Sequence, residues 1–398
     1  MSRSRAFLLF AGLASLALAN PAIEKTVLFA AGDHGYSTYR IPAIVVTPQK
    51  TVLVAAEGRK NNRNDWGLID LFYRRSLDGG VTWEAAKPLV RQQDLPADMI
   101  LNPATAKAGG PREPGFTISN STWITDAKNG RTFLIFCVEY MRCFIIESRD
   151  GGETFSAPRE ITSAFAGFKK KAGYQWRVLA TGPGHGVQLA SGRLVVPLWL
   201  STADGSNAHR PSVSSTITSD DGGVTWQAGE IAAGRGDDVV NPSETIVVET
   251  APGKVVLNIR NESAIHRRAV VENADGATGW SRPTYVQDLW EPVCMASIVR
   301  QPDGALIFSN PATLEPNPAR PTAIALSRQN LGLRISRDAG KSWSEPLVLE
   351  SGPSAYSDLA IAPDGTILCF YEHGAKGPYE SMSLARVPAS ALPAARRP

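Results

Sequence analysis

Six apolar runs, each entered through a pair of turn-forming residues, punctuate the chain. They follow Gln49-Lys50 (Thr51 to Glu57), Asn129-Gly130 (Arg131 to Tyr140), Ser191-Gly192 (Arg193 to Leu200), Pro252-Gly253 (Lys254 to Arg260), Asp303-Gly304 (Ala305 to Ser309) and Asp364-Gly365 (Thr366 to Glu372). The runs are short and rich in β-branched and aromatic residues, which predicts strands rather than helices. A second pattern has the same rhythm. Ser76-Leu-Asp78-Gly-Gly-Val-Thr82-Trp83 recurs as Ser148 to Phe155, Ser219 to Trp226 and Ser336 to Trp343, with a worn copy from Asp275 to Trp280. Successive aspartates lie 72, 71, 54 and 63 residues apart. Asp and Ser side chains close the turn onto its own backbone, glycine supplies positive φ, and the aromatic pins the turn down. These boxes read as scaffold. Repeats at this period imply stacked like units, and six of about 63 residues each suit four short strands apiece. The expectation is an all-β, six-bladed β-propeller over residues 20–388. A long loop from about Leu95 to Phe116 is expected near the cleft, and residues 389–398 are expected to form a flexible tail.

Length and composition add bounds. With 398 residues and 43% apolar content the chain can bury a large core, and a net charge of +3 marks no nucleic-acid groove. Arg3 and Arg5, the apolar run Ala6 to Leu18 and the small residues Ala17 to Ala19 read as a signal peptide over residues 1–19. That run is too short to span a bilayer, so a secreted or periplasmic protein without stable membrane insertion is expected, as a monomer. Cys137, Cys143, Cys294 and Cys369 could pair in that compartment, but Cys137, Cys294 and Cys369 lie in apolar runs where a free thiol is equally natural. Five histidines and no His/Cys cluster at ligand spacing lead us to expect neither metal nor cofactor.

Charged residues at the ends of apolar runs are the candidates for chemistry, because blade packing does not require them. They are Arg40 in Tyr39-Arg40-Ile41-Pro42, Arg59, Asp65 in Asn64-Asp65-Trp66-Gly67, Glu244 in Asn241-Pro-Ser-Glu244, Arg260 in Asn258-Ile-Arg260 and Arg328 in Arg328-Gln-Asn330-Leu331. Tyr356 in Tyr356-Ser-Asp358-Leu359 joins them. The Arg-Ile-Pro, Asn-Ile-Arg, Arg-x-Asn-Leu and Tyr-Ser-Asp-Leu phrases, in this order, resemble the exo-sialidases (neuraminidases) of glycoside hydrolase type with Asp-box repeats. The likeness runs from Tyr39 to Glu372 and includes Gly182-Pro-Gly-His185-Gly-Val-Gln-Leu189.

The resemblance implies that Arg40, Arg260 and Arg328 grip a substrate carboxylate, with Glu372 orienting Arg40. Guanidinium suits that task because its donors match a carboxylate fork. Arg334 is a rival to Arg328 on the same strand. Tyr356 is implied as nucleophile with Glu244 as its base, tyrosine being the sialidase exception among retaining glycosidases. Asp65 is implied as acid/base and Arg59 as a contact to the 4-hydroxyl, while Asp70 falls in a strand and serves packing. One departure appears: Asn120-Ser121-Thr122 stands where many bacterial members carry Asp-Pro-Ser, so Asn120 is expected to bind a hydroxyl or amide. Tyr174, Trp176 and His185 are expected on the glycerol or aglycone side. The implied activity is retaining hydrolysis of terminal α-linked sialic acids on glycans. Alternatives are hydrolysis or transfer of a related nonulosonic acid, trans-sialidation, and a non-catalytic glycan-binding propeller.

Overall fold

A computed structural model describes residues 22–394, apart from 107–113, 172, 205–206, 235 and 237. The expected signal peptide lies outside the described residues. The protein is all-β, in five hydrogen-bonded sheets built largely of antiparallel meanders. Each expected apolar run is a strand: Val52–Arg59, Arg131–Val138, Leu194–Ser201, Lys254–Ile259, Leu306–Pro311 and Ile367–His373. Each is the second strand of a local meander, with a tight turn behind it. Four sheets stand separately, and the fifth has seven strands. Its fifteen-residue strand Leu347–Ile361 pairs with Gln329–Ser336 through its first half and with Ile367–His373 through its second. The outermost strand of that sheet is Glu24–Ala30, paired antiparallel with Ser381–Val387, so both ends of the described chain share one sheet.

The boxes fold as their composition requires. In the first, Ser76 Oγ donates to Asp78 Oδ1 at 2.8 Å, and Gly80 N–H donates to Ser76 Oγ at 2.8 Å. Thr82 N–H donates to Asp78 Oδ1 at 2.9 Å, and Trp83 Nε1 to Gly80 O at 3.1 Å. The copies at Asp150, Asp221 and Asp338 repeat the cage. In the worn copy Asn273 replaces the serine, with its amide donating to Asp275 and its oxygen accepting from Gly276 N–H. The turns also lock neighbouring sheets. Gly152 sits at φ +82°, and a Cβ there would lie 2.4 Å from Leu53 of the preceding sheet. Gly80 likewise faces Leu384 of the last sheet.

First strands of the meanders, Thr38–Val46, Ile118–Asp126, Thr245–Ala251, Ser297–Arg300 and the second half of Leu347–Ile361, converge on one another. Asp358 joins them, accepting from Ile44 N–H at 2.9 Å and Ser297 Oγ at 2.8 Å. All four cysteines are buried free thiols, with Cys137 directly opposite Cys143 across a strand pair. At the C-terminal end, Ala389–Ala391 forms a 3-10 turn, and Ala391 and Leu392 pack against the core. Among the described residues no helix is long and apolar enough to cross a membrane.

Replacing Gly152 by Ala should cost about 1–3 kcal/mol of stability, because the new methyl meets Leu53 in a backbone region that disfavours side chains. Thermal denaturation of the variant checks this, and an unchanged midpoint would remove the proposed lock between sheets.

Candidate active site

Backbone irregularity places the chemistry. The strand registers slip between Arg40 and Ala43, between Ser119 and Thr122, and between Ser354 and Ser357. Such bulges re-aim side chains at sheet ends. Each slip falls on a candidate residue: Arg40, Asn120 and Tyr356. Ile41 adopts φ 61° and Asn120 φ 56°, and for a β-branched residue this is strained. The compensating force is Glu372, which is fully buried. It accepts from Arg40 Nε at 3.1 Å and Nη2 at 3.2 Å, from Ile41 N–H at 2.9 Å and from Tyr356 N–H at 3.1 Å.

Around that anchor the expected residues meet. Arg40, Asp65 and Arg328 line a cleft of about 830 Å³ with Trp66 and Tyr379, and Arg63, Arg320 and Lys376 make its walls basic. Tyr356 donates its phenol proton to Glu244 Oε1 at 2.6 Å. Arg260 Nη1 donates to the Tyr356 oxygen at 2.7 Å and also to Glu244 Oε2. The guanidinium groups of Arg40 and Arg328 lie over the Tyr356 ring at 5.0 and 5.2 Å. Arg328 itself donates to Tyr379 Oη at 3.0 Å and Val293 O at 2.8 Å. Arg334, by contrast, is buried against Ser344 O and the Trp290 ring, away from the cleft lining.

Asp65 has its own clamp. Arg59 donates to Asp65 Oδ1 at 2.8 Å and to Glu57 Oε2 at 2.7 Å, and Arg40 lies 3.7 Å from Asp65. Glu57 in turn accepts from Asn120 N–H at 2.8 Å. Burial alone would raise the Asp65 carboxyl, but Arg59 and Arg40 outweigh it and hold the group well below the usual carboxylate range. Burial drives the Tyr356 phenol well above its ordinary range, and Glu244 adds to that shift. Arg260, Arg328 and Arg40 oppose it without cancelling it. The Tyr356 phenol is therefore neutral at rest.

Three expectations for the cleft wall are corrected. His185 pairs with Asp358 at 2.7 Å among the first strands, away from the cleft. Tyr174 donates to Pro211 O at 3.2 Å from within the core, and Trp176 packs beside it, donating to Phe165 O at 3.2 Å. Asp70 is buried and accepts from Tyr36 and Gln92, in keeping with packing. Among the described residues of the loop after Leu95, none lines the cleft, and 107–113 lie outside the described residues. The loop's Ala104 packs, as Trp66 does, against the cluster of Tyr140, Val178, Ala180, Trp199 and Ala208. Sequence reading missed Tyr379, Trp66 as a wall, and the ring of Tyr140, Trp199 and His209. Trp199 lies in the strand Leu194–Ser201 and the others in loops, and only the tertiary fold brings Trp66 and Tyr379 to the cleft and gathers Tyr140, Trp199 and His209 around Trp66.

A family model described as a BNR repeat-like domain matches residues 119–369. The curated Sialidase of Micromonospora viridifaciens is 30% identical over 385 residues, covering 89% of this chain and 53% of its own length. Sialidase-3 of Homo sapiens is 28% identical over 417 residues, covering 89% and 90% respectively. This chain thus spans about half the length of the bacterial relative and most of the human one. Among solved structures, Hadza microbial sialidase Hz136 has a TM-score of 0.74 at 24% identity, over 92% of this chain and 69% of its own. The intramolecular trans-sialidase from Ruminococcus gnavus, in complex with oseltamivir carboxylate, has a TM-score of 0.70 at 18% identity, over 93% and 98%. At these identities the structural likeness is one of fold.

Replacing Glu372 by Gln should destabilise the protein by about 3 kcal/mol, since buried Arg40 loses its counter-charge and two backbone donors lose part of their acceptor. Urea denaturation measures this, and a loss below about 1 kcal/mol would count against the anchor.

Proposed function

This chain belongs to the BNR-repeat-like sialidase family, and we propose that it is a retaining exo-α-sialidase that releases terminal sialic acid from glycans. The observation that carries this reading is the Tyr356–Glu244 hydrogen bond beneath three guanidinium groups. A lectin needs cations for a carboxylate but has no use for a phenol coupled to a base. Sialic acid carries its carboxylate on the anomeric carbon, so Arg40, Arg260 and Arg328 would bring that carbon over the Tyr356 oxygen. A neutral phenol can approach the substrate carboxylate where a second carboxylate would be repelled.

In the first step the Tyr356 oxygen attacks the anomeric carbon while Glu244 takes the phenol proton. Asp65 gives its proton to the departing glycosidic oxygen. In the second step Asp65 takes a proton from water, which attacks the same carbon. Tyr356 leaves and recovers its proton from Glu244, and two inversions give net retention. Asp65 is ionised in the free enzyme because Arg59 and Arg40 hold it so. A bound substrate carboxylate engages Arg40 and relieves part of that hold, so the proton needed for leaving-group departure is easier to place. Arg59 binds Asp65 and, through Glu57, is linked to the backbone of Asn120, and the two residues fit contacts to the 4-hydroxyl or amide. The basic walls at Arg63, Arg320 and Lys376 favour encounter with anionic glycans.

The scaffold of the proposal is a six-bladed propeller. Dividing the seven-stranded sheet where Leu347–Ile361 changes partner yields two four-strand units beside the four separate sheets. Export through residues 1–19 belongs to the same proposal, and N-terminal sequencing of the mature protein tests it.

Tyr356→Phe should lower kcat on a natural sialoside by several orders of magnitude and leave folding intact. A 3-fluorosialosyl fluoride should label Tyr356 in the wild type. A label on a carboxylate, or near-normal turnover by the variant, would sink the mechanism. NMR of the first-formed sugar reads the stereochemistry and separates hydrolysis from transfer by its product.

The pH profile gives a second test. Because Asp65 must be protonated to act, rates should fall as pH rises. The basic limb of kcat should lie at higher pH than that of kcat/KM, since substrate claims Arg40. Coincident basic limbs would show that the carboxylate does not relieve Asp65.

A further inference from the structure

His209 lies in the loop between Leu194–Ser201 and Ser212–Ser219, where the sequence carries no motif. Its backbone N–H donates to Asn207 Oδ1 at 2.9 Å, and the adjacent Arg210 is held by Glu262. Three aromatic rings box the imidazole: Trp66 at 4.9 Å, Trp199 at 5.1 Å and Tyr140 at 5.6 Å. Its Nε2 is shut off from solvent and has no hydrogen-bond partner among the described residues. The same holds for Trp199 Nε1, Ser212 Oγ and Arg260 Nε. All four residues line one cavity of about 70 Å³, and Glu244 lines it too.

Four stranded polar atoms around one cavity need a common partner, since each would otherwise cost about 1–3 kcal/mol. Water has the right chemistry and size. It makes about three hydrogen bonds, and one molecule occupies about 30 Å³ of liquid, so about two fit. The donor set also fixes their orientation. Trp199 Nε1 and Arg260 Nε can only donate, so water bound to them must turn its own hydrogens toward acceptors. The acceptors on the cavity wall include Glu244 and an unprotonated His209 Nε2. Glu244 uses one lone pair for Tyr356 and one for Arg260, and so keeps room for water.

We propose that His209 is a positioning residue: with Trp199, Ser212 and Arg260 it anchors buried water against Glu244, and this water sets how readily Glu244 takes the proton of Tyr356. The inference rests on the sialidase reading of the Tyr356–Glu244 pair. Hydrogen bonds to a carboxylate favour its ionised form. Losing the water therefore weakens the hold on the ionised side chain and makes Glu244 a poorer acceptor for the Tyr356 proton, which the acid side of the rate profile reads. Glu244 faces Arg260 and Tyr356, which it binds, then Arg328, Cys294 and His209, with Arg210 and Glu262 lining the same cavity. The charged groups facing His209 are Asp65 from the loop after Val52–Arg59, Glu244 and Arg260 from the neighbouring sheet, and Arg210 beside it. Burial, helped by Arg260 and Arg210, lowers the imidazole below its usual range against the pull of Asp65 and Glu244. Near neutral pH it is uncharged and able to accept.

The test measures kcat/KM against pH with an aryl α-sialoside, whose leaving group needs little help from Asp65. His209→Phe keeps a ring in the box and deletes the nitrogens, while Ser212→Val fills the cavity. Both should move the acid limb upward by about half a pH unit or more. His209→Gln, which returns a polar atom near the Nε2 position, should restore the wild-type limb. Trp199→Phe removes the donor together with part of the ring and should shift the limb in the same direction, which covers the case where one of the others fails to fold. Superimposable profiles for every folded variant beside an active wild type would overturn the inference and leave the sialidase reading standing. A wild type without turnover would overturn that reading, and this inference with it.

Discussion

A carboxylate can accept about four hydrogen bonds, and Glu372 uses all four inside the protein. Two come from the Arg40 guanidinium and two from backbone N–H groups, of Ile41 and of Tyr356. One buried charge thus fixes the direction of the first arginine and the height of the tyrosine, from strands more than 300 residues apart in sequence. It also compensates a strained conformation at Ile41, which no local interaction would favour. Remove this anchor and the irregular strand ends have no reason to hold their shape.

The remaining cations of the cleft are balanced in different ways, and the differences matter. Arg260 is neutralised by Glu244, which is also the partner of Tyr356, so guanidinium, carboxyl group and phenol form one unit. Arg328 has a phenol, a carbonyl and a ring face as its partners, leaving most of its charge for an anion. Arg40 shares itself between Glu372 and Asp65. Under the proposed function, an entering carboxylate would meet one weakly paired arginine first and redistribute the charge around the others. Electrostatic preorganisation of this kind costs nothing at the moment of reaction because folding has already oriented the groups.

The Asp boxes stand apart from the chemistry and make it possible. Each is a self-contained cage of hydrogen bonds, and the glycine beside it touches a neighbouring sheet in several copies. Rigid contact between sheets is what lets residues from different repeats keep ångström-scale relations at the opposite ends of their strands.

Much was legible in the sequence because it is local. Strand position follows from apolar runs behind turn pairs, and the boxes are specified by residues four apart. Arg40, Asp65, Glu244, Arg260, Arg328 and Tyr356 were recognisable because their short phrases, taken as a set and in order, resemble those of exo-sialidases, whereas a lone charge at a strand end is ordinarily a solvated one. What the chain could not announce is contact between distant loops. His185 carries a conspicuous motif yet pairs with Asp358 away from the cleft, whereas His209 and Tyr379 carry none and stand beside the chemistry. The joining of the N-terminal strand to the last sheet, and the cavity behind Glu244, also depend on how separate units meet. Hydrogen bonding within a turn is set by neighbours in sequence, but cavities and charge balance arise only where surfaces from different sheets face each other, and tertiary packing alone decides that.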